Sequence, residues 1–247
     1  MSIPYRSMTK NSFGEDFRLQ VARGQIEGHR VLNIFGFHSS IGTSFITPWE
    51  LAGAGTQYVV PTSPTTMTVQ STSASDVNIG VLIQGLDSDY NEVSEVILTN
   101  GTTSVTTSNT YFRINKLIQV GGLAVGNISI TDSGITYGQI NAGVGTSQMA
   151  QWTIPAKHSF YIDRISGWSA TANANKYLVF RNRSDVDGGA VTSYSTGQAT
   201  FTNNFEVIRQ TPFRIDQKTT LRFDAKSSSG SNEVSYAVEG ILIQEEE

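Results

Sequence analysis

The sequence has no cysteine among its 247 residues, so neither a disulfide bridge nor a thiolate metal site can form. Charged residues make up only 15% of the chain, against about 25% in an average soluble domain. The 17 basic and 21 acidic residues give a net charge of −4, which provides no basic field for DNA or RNA. We therefore expect no nucleic-acid partner and a surface formed mainly of uncharged polar residues.

Long apolar runs are also missing. No stretch approaches the roughly 20 apolar residues that a helix needs to span a bilayer. Residues 1–30 lack the continuous apolar region of a signal peptide and contain basic and acidic residues in alternation. We expect a protein that is made in a cytoplasm, without a membrane partner.

Alternation of apolar and polar residues dominates the chain from Val31 onward. Phe112 and Ile114 are separated by a polar residue, and so are Leu221 and Phe223. This period of two is typical of strands with one buried and one wetted face. Turn-forming pairs and clusters rich in Gly, Pro, Asn and Asp recur between the strands. The pattern predicts an all-β fold of the sandwich or jelly-roll type.

Composition divides the chain into four segments. Residues 1–30 are predicted to be an extended arm, which must be buried against its own subunit or a neighbouring one. Residues 31–122 and 147–247 are predicted to be two β-sandwich domains. The Gly-rich residues 123–146, with one short strand, are predicted to connect them. The apolar residues of the arm fit a strand as well as a helix.

Short sequence similarities link the two predicted sandwiches. The pairs that begin at Thr110 and at Gly80 occur in opposite order in the two halves of the chain. The similarities are therefore compatible with related domains or with shared strand chemistry alone. The three pairs are Asn33–Phe37 with Arg164–Trp168, Thr110–Ile114 with Thr211–Ile215, and Gly80–Gln84 with Gly240–Gln244.

Residues that could carry catalysis are few and scattered. A Gly-x-Ser-x-Gly motif is missing, and His29, His38 and His158 have no His-x-x-x-His spacing. Neither a serine hydrolase nor a histidine-based zinc site is therefore expected. Each histidine fits a solvated turn or strand end.

Carboxylates occur in local pairs, beside turn signals where Asp accepts hydrogen bonds from its own backbone. Glycosidases need two carboxylates across a sugar, but turn formation explains these pairs better. The segment that begins at Asp87 resembles a calcium loop, yet Glu92 replaces the required Gly and Leu98 replaces the bidentate Glu. The pairs are Asp87 and Asp89, Glu92 and Glu95, and Asp185 and Asp187.

Aromatic residues are the remaining candidates for a binding site. Trp49, Trp152 and Trp168, with nine tyrosines, could stack on sugars. Trp152 and Trp168 lie in apolar strands, which favours packing in the core. The sequence therefore predicts no catalytic, metal-binding or cofactor-binding residues, and we expect the protein not to be an enzyme.

The segment Val31–Glu50, VLNIFGFHSSIGTSFITPWE, resembles a group of virion structural proteins of marine tailed phages, including cyanophages and pelagiphages. The similarity covers most of residues 16–165 and the rest of the chain more loosely. It is continued by Tyr58–Pro61, Thr65–Ser71, Ile83–Ser94, Tyr111–Asn115, Met149–Lys157 and Tyr161–Ile162.

This resemblance implies a particle component located in the virion and assembled in the host cytoplasm. Such a component would form a homo-oligomer and bind other virion proteins, namely the major capsid protein or neck and tail proteins, through symmetric contacts. Capsid decoration or cementing is the first expectation. A neck, tail or baseplate component and a host-glycan-binding module of the tail are the alternatives.

Overall fold

The computed structural model describes residues 14–49, 58–171, 174–184 and 194–245. Within these ranges the chain forms one short helix and fifteen strands, so the prediction of an all-β chain is confirmed. The elements are α1 (Phe17–Ala22), β1 (His29–Ile41), β2 (Thr68–Ser71), β3 (Val77–Leu86), β4 (Glu92–Asn100), β5 (Val105–Thr106), β6 (Arg113–Val120), β7 (Ile128–Asp132), β8 (Ile135–Ile140), β9 (Gln151–Thr153), β10 (His158–Trp168), β11 (Lys176–Ser184), β12 (Tyr194–Phe201), β13 (Asn204–Ile215), β14 (Thr219–Ser227) and β15 (Asn232–Gln244).

The strands form four antiparallel sheets around two large apolar cores. One core lies between the sheets β1-β15-β10-β13 and β12-β11-β14-β9, and it contains Phe160, Phe223 and Tyr236. The other lies between the sheets β5-β2-β7-β8 and β4-β3-β6, and it contains Ile83 and Leu117. We call these the eight-strand pair and the seven-strand pair.

The seven-strand pair is inserted into the eight-strand pair, between β1 and β9. When the eight strands are numbered 1 to 8 along the chain, their sheets have the orders 1-8-3-6 and 2-7-4-5. The sheets of the seven-strand pair follow other orders, so the four sheets do not clearly form the two jelly rolls that were predicted.

The strand pairing differs from the predicted division at residues 31 and 147. Strand β1 was assigned to the first sandwich of residues 31–122, but it pairs along its whole length with β15, from His29 opposite Ile243 to Ile41 opposite Asn232. The pattern of alternation in β1 shows that it is a strand but not which strand is its partner. One sheet of the predicted second sandwich, residues 147–247, therefore includes β1 from the predicted first sandwich.

The sequence similarity between Asn33–Phe37 and Arg164–Trp168 has a different meaning from domain duplication. Both segments are neighbours of β15 in one sheet, and their glycines, Gly36 and Gly167, both stand opposite Tyr236. Both are also crowded positions. A Cβ on Gly167 would lie 2.7 Å from the Tyr236 ring, and one on Gly36 would lie 2.7 Å from the Ala150 backbone.

The Gly-rich residues 123–146 are part of a sheet and not only a connector. They contain β7 and β8, a hairpin that pairs with β2 and buries Ile128, Ile130 and Tyr137 in the core of the seven-strand pair. Ser133 and Gly134 form its two-residue turn with φ angles of 48° and 80°, as a type I′ turn requires. Most of these glycines lie in turns or loops between strands, although the Gly-rich composition had predicted a linker here.

The described part of the predicted arm contains a helix and is docked on its own chain. Helix α1 begins after Asp16, whose side chain accepts hydrogen bonds from the backbone N–H groups of Arg18 and Leu19. Val21 packs against Ile241 of β15, and Arg18 forms an ion pair of 3.1 Å with Asp163 of β10. Residues 1–13 of the arm lie outside the described residues. Among those described, no helix is long and apolar enough to cross a membrane.

Asp76 is the buried polar centre of one end of the seven-strand pair. Its carboxylate accepts hydrogen bonds from the Ser71 hydroxyl at 2.5 Å and from the backbone N–H groups of Val125 and Gly126 at 2.8 and 2.9 Å. Burial acts to raise the pKa of the Asp76 carboxyl, but these hydrogen bonds to its charged form outweigh burial and hold the pKa below its usual value.

We expect Asp76→Asn to lower the free energy of unfolding by about 1–3 kcal/mol at neutral pH, because it weakens three buried hydrogen bonds. The pKa of Asp76 is lower in the folded state than in the unfolded state. Its stabilising effect is therefore complete above the unfolded value of about 4 and is lost as the pH falls through the folded value. Urea unfolding should show the difference between the native chain and the variant shrinking in acid. The control is Asp89→Asn, in an exposed turn. An equal loss in both variants would contradict the assignment.

Candidate binding cleft at the junction of the two sheet pairs

Of the three histidines, His29 and His158 begin β1 and β10 as strand-end residues. His38 lies within β1 and is buried, so the solvated position expected for it is wrong. His29 packs edge-to-face on Phe17 with ring centroids 5.9 Å apart. The Nδ1 of His38 accepts a hydrogen bond from the backbone N–H of Ser40. The Nδ1 of His158 lies 2.8 Å from the carbonyl oxygen of Ala156. The described residues contain no group of three or more His, Cys, Asp or Glu side chains that could hold a metal ion.

Of the carboxylates considered above as catalytic pairs or calcium ligands, Asp87 forms local hydrogen bonds, whereas Glu92 and Glu95 bind residues distant along the chain. Asp87 Oδ1 accepts hydrogen bonds of 2.9 Å from the backbone N–H groups of Asp89 and Asn91, as in a turn closed by its own Asp. Glu95 accepts from the backbone N–H groups of Ser108 and Asn109. Asp185 and Asp187 lie outside the described residues.

The tryptophans occupy three different environments. Trp49 is buried and packs edge-to-face on Tyr58, and Trp152 is buried in the core of the eight-strand pair. Trp168 differs from the core position predicted for it, because 41% of its surface is exposed and it packs beside Phe35. Its strand alternates as expected, but this residue is the last of β10 and lies at the end of its sheet.

A cleft of about 480 Å³ lies where the two sheet pairs meet. One wall is the start of β1, the outermost strand of its sheet, and the other is the outer face of the sheet β4-β3-β6. Arg30 of β1 and Glu92 of β4 form an ion pair across it. The lining residues are mostly polar: Arg30, Val31, Leu32, Asn33, Gln84, Gly85, Glu92, Val93, Ser94, Asn115, Lys116 and Trp152.

Asn115 links the two sheet pairs at the cleft. Its amide group donates a hydrogen bond of 2.9 Å to the carbonyl of Thr153, and its side-chain oxygen accepts one of 2.9 Å from the N–H of Thr153. The side chain thus pairs with the backbone of β9 as a neighbouring strand would. Gln151 adds a third bond, from its amide to the carbonyl of Ile114 at 2.6 Å. All of these groups are buried.

A second polar connection lies around Asp224, which is completely buried in β14. Its carboxylate accepts hydrogen bonds from Arg181 at 2.7 Å, from Arg222 at 3.0 Å and from the Thr47 hydroxyl at 3.0 Å. Arg222 also donates to the carbonyl of Tyr58, a residue in the core of the seven-strand pair. Two guanidinium groups compensate the desolvation of the carboxylate, so the connection is held in one geometry.

Tyr58 connects the Asp224 network to the region of the Asn115 contact with Thr153. Its hydroxyl lies 3.4 Å from the carbonyl oxygen of Ile114, and its N–H donates to the Thr47 hydroxyl at 2.8 Å. Burial raises the pKa of the Tyr58 phenol well above its usual value, so the group remains a neutral donor. The junction therefore fixes the walls of the cleft relative to each other.

Sequence reasoning missed this cleft because its residues come from five strands that are distant along the chain. Asn33, Gln84 and Asn115 are polar residues in strands and are unremarkable one at a time. The available signal was Asn115 itself, an amide directly after the apolar Ile114 in a strand whose alternation predicts one buried face. The structure places it at a bulge in the β3–β6 register.

Comparison with known proteins gives no family assignment. No family model matches the chain, and no curated protein matches it. Among solved structures, one of infectious bursal disease virus, Gx strain, is 13% identical with a TM-score of 0.24, over 88% of this chain and 73% of that chain. One of the Gt strain is 12% identical with a TM-score of 0.20, over 87% and 72%. Likeness at this level carries no argument about function.

We expect Asn115→Ala to lower the free energy of unfolding by about 2–4 kcal/mol, because the N–H and the carbonyl of Thr153 would each lose a buried partner. Urea unfolding measures the loss. The matched control is Thr153→Val, which removes only the hydroxyl contact with Thr220 at 2.9 Å and keeps the backbone groups paired. If Asn115→Ala costs no more than Thr153→Val, the amide does not join the two sheet pairs as described.

Proposed function

We propose that the chain is a non-enzymatic structural protein of a virus particle. The observation that carries the proposal is the strand order of the eight-strand pair, 1-8-3-6 and 2-7-4-5. This is the order of a jelly roll, an architecture found in viral capsid domains and in lectins. The seven-strand pair is an insertion between the first and second strands of the eight-strand pair. The same architecture hosts unrelated functions, so the test must be made on the particle.

Three further features support a role in assembly. The resemblance of Val31–Glu50 to virion proteins of marine tailed phages points in the same direction. The docked helix α1 leaves Phe17 and Leu19 each 49% exposed. Large hydrophobic side chains are exposed on several strands, and contiguous patches of this kind mark protein–protein contacts. Within the particle, we propose decoration or cementing of the capsid, through symmetric contacts with shell proteins and other copies.

If the protein decorates or cements the capsid, we expect its copy number to be in the hundreds per purified particle. That number should be near parity with the major shell protein or a simple fraction of it. Quantitative mass spectrometry of gradient-purified particles measures this ratio. A count of about six or twelve would move the protein to the neck, tail or baseplate. Absence from purified particles would overturn the virion proposal itself.

A second candidate function is the binding of host glycans in the cleft, as in the lectins that share the jelly roll. The observation that favours it is the polar lining, to which Asn33, Gln84 and Lys116 contribute, with the mostly buried Trp152 at its border. Amide and charged side chains in a cleft can bind sugar hydroxyls, and the indole of Trp152 at its border would report the binding through its fluorescence.

If glycans bind there, host polysaccharide should quench the tryptophan fluorescence, and Trp152→Phe should abolish the quenching. Lys116→Ala should weaken the binding. Trp168→Phe is the control, because Trp168 is exposed on β10 and does not line the cleft. Quenching that persists in Trp152→Phe would place the sugar elsewhere.

A further inference from the structure

The outer face of the sheet β4-β3-β6 changes from polar to apolar along its strands. At the cleft, Ser94, Gln84 and Lys116 are cross-strand neighbours. Further along the same strands, this polar row is followed by two rows of apolar residues, each also formed by three cross-strand neighbours. We call these two rows the apolar face. They are Val96–Leu82–Ile118 and Leu98–Gly80–Val120.

The side chains of the apolar face point away from the core. Val81, Ile83 and Ile97 alternate with them and are buried in the seven-strand pair. By contrast, Val96 is 57% exposed, Leu98 56% and Val120 48%. An antiparallel sheet with one solvated face normally carries polar residues there. This sheet breaks that rule on two successive rows.

Further exposed apolar residues lie near the far end of these strands. Leu123, 62% exposed, follows the glycine turn after Val120. Val125 is 73% exposed, and its N–H bonds to Asp76, which directly precedes the half-exposed Val77. These six exposed residues together present on the order of 400–500 Å² of apolar surface. That equals the apolar share of one side of a standard protein interface, about 450 of 800 Å².

We propose that the apolar face is the contact between two copies of this chain. This inference rests on the proposed structural role and names the surface through which copies associate. The available area meets what a stable dimer contact needs. The two rows contain no charged residue, so a second copy can approach without like-charge repulsion. A partner selected by charge would find no complementary group in these rows.

The shape of the face also fits a copy of itself. Gly80 has no side chain, and a Cβ there would lie 3.3 Å from the Cβ of Val120 and 3.5 Å from the Cγ1 of Val96. Gly80 therefore leaves a shallow depression one residue long on β3, next to Leu82 and between apolar residues of β4 and β6. Two such faces can pack with an apolar side chain of each at the depression of the other, about 10 Å apart as in stacked sheets.

The test compares the native chain with Leu98→Lys by analytical ultracentrifugation over a wide concentration range. The native chain is expected to self-associate, and Leu98→Lys to weaken the association at least about tenfold. Ile208→Lys is the matched control, because Ile208 is 67% exposed on β13, in another sheet. A native chain that stays monomeric would overturn the proposal, and so would equal effects of the two lysines.

Cysteine cross-linking provides a second readout that does not depend on introducing a charge. The chain has no cysteine, so Val96→Cys, Leu98→Cys and Val120→Cys each introduce a single thiol. Under mild oxidation at least one of them is expected to form a disulfide-linked dimer, since symmetric packing brings equivalent residues close together. Ile208→Cys should remain monomeric. Cross-linking at Ile208 alone would contradict the proposed contact.

The self-association test and the copy-number measurement on purified particles can fail independently. If purified chain associates through the apolar face but is absent from particles, the contact stands and the virion role fails. If the native chain is monomeric and Leu98→Lys nevertheless loses incorporation into particles, a different virion protein covers the face. That result would overturn the self-contact while leaving the structural role intact.

Discussion

The pairing of β1 with β15 is the constraint on which the rest of the architecture depends. It joins residues near the two ends of the described chain, from His29 opposite Ile243 onward, and it makes β15 a central strand between β1 and β10. All of the seven-strand pair lies between β1 and its partner along the chain. Such long-range pairing costs loop-closure entropy before any contact compensates it. Close packing fixes both neighbours of β15: Gly167 of β10 lies against the Tyr236 ring, and Gly36 of β1 lies against the Ala150 backbone.

The junction between the sheet pairs follows from this insertion. The inserted strands leave and re-enter the eight-strand pair at two connections, so their orientation must be fixed by contacts between side chains and backbone. Asn115 supplies one contact by pairing with Thr153 of β9, and the buried Asp224 organises another through Arg222. Buried polar groups of this kind are costly when unpaired. The paired geometry is therefore well defined, and it makes the cleft a fixed feature.

The outer face of the sheet β4-β3-β6 carries two different surfaces because its rows differ in polarity. Gln84 and Lys116 form the polar floor of the cleft, whereas Val96 and Leu98 form the apolar rows. A ligand site and a protein contact can thus lie side by side on one sheet. Trp152 was expected in the core and lies there, but only the fold shows that it also borders the cleft.

The sequence by itself determined that the chain is all-β, where most strands and turns lie, and that Asp87 belongs to a turn. Local information suffices for these features, since alternation and turn chemistry act within a few residues. Only the tertiary structure decided that β1 belongs with β15, that residues 123–146 contribute a hairpin to a sheet, and that Asn115 meets Thr153. Strand partners are chosen by packing between distant segments, and a period of two records which residues are buried but not against what.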